Sequence, residues 1–417
     1  MGVTHIVGAG LAGLAAAVSL SKAGRQVVLY EASDHAGGRC RSYVDARLGR
    51  RVDNGNHLLF RGNRAAFRYL KTIGATDRFL CPETPAFPFI DLASGKRWVV
   101  RPSARVFPWW IFMPSRRIPG TVSADYLAAL RLFLASPQAT IFETFADGGP
   151  LYRCFWEPLA VASLNTPVEK AATRLLLPVV LRIFGKGPEA ARPMIAKEGL
   201  SESFVDPALA YLEAKGAAIH FTHRLRKLAF ADGGVRELDF GGRQISMEAG
   251  DCLILAVPPS NAADLLPGLS TPKETEPILN AHFHLAEVPP WPHEAPFIGI
   301  IGGLAQWVFL RGRVASVTVS AAGDHIDESS EALVPKLWAD VAQALQIASS
   351  PPPPCRVIKE RRATFSQTPA ACALRPKTRT DYANLFLAGD WTDTGLPATI
   401  ESAIDSGHLA AKAVMKR

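Results

Sequence analysis

The chain begins with a short apolar run, His5-Ile6-Val7, which breaks into glycines and then into an alanine- and leucine-rich stretch from Leu14 to Ala23. β-favouring residues, a glycine turn and then helix formers predict strand, turn and helix, with Gly24 closing the helix. A second apolar run, Gln26 to Tyr30, predicts the next strand. Much later the pattern repeats: a helix from Pro207 to Ala214, then β-rich runs at Ala217–Phe221, Leu225–Phe230, Val235–Phe240 and Cys252–Leu255 that would rejoin the first unit. A helix is expected over Glu331 to Gln346, before the flexible Ser349 to Pro354 run, and another over Ile400 to Val414. The expected organisation is a discontinuous α/β nucleotide-binding domain (1–64, 207–258 and 384–417) interleaved with an α+β substrate domain (65–206 and 259–383). The first part of that second domain is rich in proline and aromatic residues.

The opening turn reads Val7-Gly8-Ala9-Gly10-Leu11-Ala12-Gly13. Gly8 allows a tight turn, Gly10 lets backbone approach a pyrophosphate, and Gly13 lets helix and strand pack closely. The amides of Leu11 and Ala12 open the helix toward the phosphates. The second strand delivers Glu31, followed by Ala32, where a carboxylate can accept hydrogen bonds from ribose hydroxyls and disfavours a 2′-phosphate. Ala36-Gly37-Gly38-Arg39 comes next, with Gly38 at the turn and Arg39 offering a cation to pyrophosphate. A flavoprotein continues its cofactor contacts at this point, so the expected cofactor is FAD.

The 417 residues, 48% hydrophobic and 20% charged, suit a globular chain with a sizeable core. Six cysteines without a CxxC pair, and an opening straight into the first strand, lead to the expectation of a reducing cytoplasm. The ten histidines show no HExxH or paired spacing, so no metal is expected. A net charge of +8 comes without a nucleic-acid motif, which favours an anionic membrane surface over nucleic acid. Val106 to Pro114 runs into Arg116-Arg117, and Leu175 to Leu181 is framed by Arg174 and Arg182; both are too short to span a bilayer. Each reads equally as core or as membrane contact. The expected location is peripheral, on the inner face of the cytoplasmic membrane.

The glutamate, the Gly-Gly-Arg and the terminal Leu387-Ala388-Gly389-Asp390 with Thr399-Ile400-Glu401 resemble the amine oxidase and phytoene desaturase superfamily. That likeness implies that Gly389 and Asp390 hold the flavin ribityl chain, and that amides at Thr399, Ile400 and Glu401 face the ring's pyrimidine edge. It also implies that backbone near Leu225 touches adenine, and that Gly55 and Asn56, within Val52 to His57, pass the ring. Amine oxidases usually carry an aromatic ring where this chain has Thr399, and no cysteine in the tail could link a flavin covalently.

The chain resembles more closely the squalene-associated FAD-dependent desaturases, the hydroxysqualene dehydroxylases of bacterial hopanoid pathways. Phe155-Trp156-Glu157-Pro158-Leu159, Gln306-Trp307-Val308-Phe309, Arg375-Pro376 and the string from Leu387 to Thr399 carry the likeness. It implies a C30 isoprenoid substrate and reductive loss of an allylic hydroxyl, with hydride passing from reduced flavin to an allylic cation. His57 and Glu157 are then the candidate acids, with Trp156 and Trp307 as pocket walls; Asp53 more readily fixes a turn or binds an arginine. The alternatives are a carotenoid-type desaturase and a flavin-free prenyl-binding escort. The electron donor is unidentified.

Overall fold

The computed structural model describes residues 2–102, 109–146, 148–291 and 295–417. Strand β1 (Thr4–Val7) is buried along its length, and helix α1 (Leu11–Lys22) starts directly after Gly10. The helix starts three residues before the expected Leu14 and takes in Gly13, a poor helix former that the close approach of the Gly8 carbonyl requires there. Strand β2 (Val27–Tyr30) follows, then a hairpin of β3 (Ser42–Asp45) and β4 (Arg50–Asp53), helix α2 (Arg64–Thr72), and a hairpin of β5 (Phe87–Asp91) and β6 (Arg97–Val100). Helices α3 (Glu157–Leu164), α4 (Thr173–Ile183) and α5 (Asp206–Ala214) lead to β7 (Ala218–His220) and β8 (Cys252–Leu255). The substrate side continues with β9 (Thr275–His284), β10 (Phe297–Ile301), β11 (Trp307–Arg311), β12 (Val314–Val319), helix α6 (Ser330–Leu345) and β13 (Cys355–Phe365). Strand β14 (Leu385–Leu387) and helix α7 (Ile400–Met415) close the chain.

A five-stranded parallel sheet runs β7-β2-β1-β8-β14, which places the first and last segments in one layer. Small residues bring α1 and α7 into close contact: a Cβ at Gly407 would lie 2.2 Å from the Ala12 carbonyl oxygen. A seven-stranded sheet, β13-β9-β12-β11-β10-β5-β6, forms the second body, with one face of β9 packed in a cluster with α6. Of the four expected strands after α5, those at Ala217–Phe221 and Cys252–Leu255 join the parallel sheet. The two between (Lys227–Ala231 and Gly234–Asp239) form a separate antiparallel sheet with a third, unexpected strand, Gln244–Ser246, leaving Leu225 in the loop before it.

Packing joins part of the expected insertion to the nucleotide side. Ala65, Tyr69 and Leu70 of α2 share the nucleotide-side core with Phe79, Met194, Leu200 and Phe204, and the Tyr69 hydroxyl donates to the Phe204 carbonyl at 2.8 Å. Both segments had been placed in the insertion, because their apolar spacing does not reveal which sheet they cover. The run from Leu175 to Leu181 lies within α4, with Leu175 and Leu176 buried and Leu181 exposed. Val106 to Pro108 lie outside the described residues; Trp109 to Phe112 form a short helical turn in which Ile111 is buried. Among the described residues no helix is long and apolar enough to cross a membrane.

Candidate functional site

The three glycines of the first turn answer to three different constraints. Gly8 has φ of +105°, and a Cβ there would sit 2.4 Å from the Ala256 carbonyl oxygen. At Gly13 a Cβ would come within 1.8 Å of the Gly8 carbonyl oxygen, so close packing of helix on strand excludes any side chain. At Gly10 a Cβ would meet nothing within 4 Å, because this residue faces a cavity. Leu11, Ala12, Ala32 and Gly38 line the same space. At the end of β2 the Glu31 carboxylate accepts from the Ala9 amide at 2.7 Å and the Ser33 amide at 2.9 Å, which orients it in the cavity wall.

The C-terminal segment supplies the opposite wall. Gly389 has φ of +147°, and a Cβ there would strike the Trp391 indole at 2.4 Å. Arg39 pairs with Asp390 at 2.7 Å and also donates to the Ala363 carbonyl, so the expected pyrophosphate and ribityl contacts meet in one ion pair. Arg375, buried, donates to the carbonyls of Leu396 at 2.8 Å and Asp390 at 3.2 Å, pinning the loop that precedes α7. Thr399 caps α7 by accepting from the Ser402 amide at 3.3 Å, which leaves the Ile400 and Glu401 amides in the first turn without a partner among the described residues. The Glu401 side chain turns elsewhere. It accepts from the Ala65 and Ala66 amides at 3.1 and 2.9 Å and from Arg182 at 3.0 Å, while burial pushes its carboxyl above the usual range.

These two walls enclose one end of a cavity of about 1420 Å³. Single small-molecule sites run to roughly 1,000 Å³, so the space can hold a dinucleotide and a second long molecule. The side-chain-free face at Gly10, the free first-turn amides of α7 and the carboxylate at the end of β2 fit FAD. The far end is walled by Phe87, Phe89, Phe155, Phe184, Trp307 and Phe309. Asp53 stays out of the chemistry: it pairs with Arg311 at 2.7 Å and accepts from Ser42 and the Leu200 amide.

Trp307 lies in this wall, edge-on to Phe89 with ring centres 5.4 Å apart. Trp156 does not. It is stacked on Phe145 at 4.8 Å in the core, and its neighbour Phe155 takes the cavity position. Neighbouring residues on a helix point about 100° apart, and the π-turn at Tyr152–Trp156 makes that phase hard to read from sequence. Glu157 also stands outside the wall, because Phe155, Leu159 and Ala162 take the inward face. Burial and the charge of Glu169 raise its carboxyl against the pull of Arg153, but at a position removed from the cavity. His57 does line the cavity, and burial pushes its imidazole down to about 4, leaving it neutral at pH 7. A neutral ring can donate an N–H, but it carries no excess proton to give. Among the described residues no group of three or more His, Cys, Asp or Glu side chains is placed to hold a metal ion.

The family profile described as flavin containing amine oxidoreductase matches residues 11–415. Hydroxysqualene dehydroxylases of Rhodopseudomonas palustris and Zymomonas mobilis are each 43% identical to the chain, over 99% of it and 98% of their own length. The chain belongs to this family. It is an FAD-dependent oxidoreductase. A double mutant of putrescine oxidase has the same fold, with a TM-score of 0.73 at 17% identity, covering 100% of this chain and 99% of that one.

In this dehydroxylase-family chain, sequence inspection missed Arg182, Asn280 and Thr318, all of which line the cavity. Arg182 had been noted only as a flank of an apolar run. A signal for Asn280 exists: Asn280 and His282 fall on one face of the alternating run Ile278 to Phe283, a polar face that is buried.

Proposed function

We propose that the protein removes the allylic hydroxyl of hydroxysqualene and releases squalene and water. What carries this is a single cavity, lined by the glycine turns at one end and an aromatic chamber at the other, in a chain so similar to enzymes of that name. Replacing hydroxyl by hydrogen consumes two electrons and two protons and forms one water; bound FAD, once reduced, supplies the electrons. The aromatic chamber keeps bulk water from a developing allylic cation and presents ring faces that stabilise positive charge. Arg39 and Asp390 would hold the ribityl–pyrophosphate region, and the first-turn amides of α7 would face the flavin ring. A lipid substrate also needs a route from the bilayer. Exposed Trp109, Phe112, Met113, Phe133 and Leu134 supply an apolar surface beside Arg116 and Arg117, which suits peripheral binding to an anionic membrane.

The test is to incubate flavin-loaded protein with hydroxysqualene and a chemical flavin reductant, and separately with phytoene or squalene and an oxidant, following lipid products by mass spectrometry. Squalene formed in the first reaction is the expected result. Conversion confined to the second would replace dehydroxylation by desaturation.

A further inference from the structure

We propose that Asn56, held by the Asn280–Thr318 strand pair, and its chain neighbour His57 form the subsite for the hydroxyl of a C30 allylic alcohol, a subsite that presupposes the dehydroxylation proposed above. Asn280 on β9 and Thr318 on β12 are direct cross-strand partners. The Thr318 hydroxyl donates to Asn280 Oδ1 at 2.9 Å and accepts from Asn56 Nδ2 at 3.0 Å. Asn280 Nδ2 then reaches the Asn54 carbonyl at 3.4 Å. These bonds run in one direction only. Asn56 Nδ2 is committed, which leaves Asn56 Oδ1 as an acceptor that no described residue fills. Neither ring nitrogen of His57 hydrogen-bonds to a described residue, and both side chains belong to cavity-lining residues.

Asn165, in the same wall, shows what a purely structural amide looks like. Its Nδ2 donates to the Glu276 carbonyl at 3.2 Å and to the Thr364 hydroxyl at 2.9 Å, while its Oδ1 accepts from the Ala321 amide at 2.7 Å. Asn56 and His57 keep capacity that a hydrocarbon cannot use and an alcohol can. The alcohol O–H donates to Asn56 Oδ1, and its oxygen accepts the single N–H of a neutral imidazole. The subsite therefore recognises the oxygen with uncharged groups. Four of the cavity-lining carboxylates are engaged elsewhere: Glu31 with the Ala9 amide, Asp390 with Arg39, Glu401 with Arg182 and Glu360 with the Asn54 side-chain amide.

The experiment measures dissociation constants of hydroxysqualene and of squalene on the full-length, oxidised, flavin-loaded protein, from ligand-induced changes in flavin absorbance. Asn56→Leu is expected to weaken hydroxysqualene about tenfold or more while leaving squalene nearly unchanged, because a site built for a hydroxyl loses only that discrimination. Thr318→Val should shift the ratio in the same direction and Thr318→Ser, which keeps the hydroxyl, should restore it. This second pair decides the matter if Asn56→Leu fails to hold flavin. An unchanged preference for the alcohol, or equal loss of both ligands, overturns the subsite. Wild-type protein that converts no hydroxysqualene defeats the proposed function itself; conversion together with unchanged discrimination in the variants defeats this subsite alone.

Discussion

Gly10 and Gly13 belong to one motif but respond to different neighbours. Gly13→Ala drives a Cβ to 1.8 Å from the Gly8 carbonyl oxygen, so the joint between β1 and α1 must open. Overpacking of this kind costs about 1–3 kcal/mol, and the apoprotein should melt at lower temperature. Gly10→Val meets no protein atom within 4 Å at its Cβ, so the apoprotein should melt nearer to wild type than Gly13→Ala does, losing only the preference for glycine over valine at the α1 N-cap. The new side chain instead fills the cofactor side of the turn and should weaken FAD about tenfold or more, read by equilibrium titration of flavin fluorescence. Equal effects of the two substitutions on melting would contradict this division. The glycine roles were legible in the sequence because turn geometry and close approach are local properties. Side-chain direction in the segment from Phe155 to Glu157 was not: the sequence points to Trp156 and Glu157, and only the packed helix shows that Phe155 lines the cavity instead.

Among the secondary-structure elements, Glu401 ties three helices. Its carboxylate sits at the N-terminus of α2, where unpaired amides and the helix dipole favour negative charge, and it also holds Arg182 at the end of α4. Glu401→Ala leaves two buried amides and a partly exposed guanidinium without that acceptor, and the expected loss is about 2–4 kcal/mol. Urea denaturation should show a lower midpoint with an unchanged slope. Thr399→Ala, which removes only the α7 cap, should cost about 1 kcal/mol in the same assay. A Glu401 loss no larger than the cap's would mean that the tie contributes little. The sequence marked Glu401 as part of the cofactor motif, and its first-turn amide remains placed for that role. Its side chain's attachment to α2 was invisible because residues 65 and 66 lie more than three hundred positions away, in a segment assigned by composition to the other domain.

For the whole molecule, an apolar C30 chain needs a path from lipid to the aromatic end of the cavity. Phe112, Met113, Leu127, Phe133 and Leu134 are all exposed between positions 112 and 134, Leu134 at 84%. The short helix Arg131–Leu134 packs on α4, whose residues Val179, Arg182 and Ile183 line the cavity. A helix that carries part of the apolar surface is therefore in contact with a helix of the cavity wall. If lipid enters here, binding should require both apolar insertion and anionic headgroups. The protein should sediment with vesicles containing phosphatidylglycerol, less with phosphatidylcholine alone, and less as salt rises past the point where screening reaches about 8 Å. Phe133→Asp combined with Leu134→Asp removes two exposed apolar groups and adds two charges that anionic lipid repels, so vesicle affinity should fall about tenfold or more. Flavin content should stay intact, since neither residue lines the cavity. Turnover should then drop with hydroxysqualene presented in vesicles and persist with the same substrate in detergent micelles, a split that loss of folding could not produce.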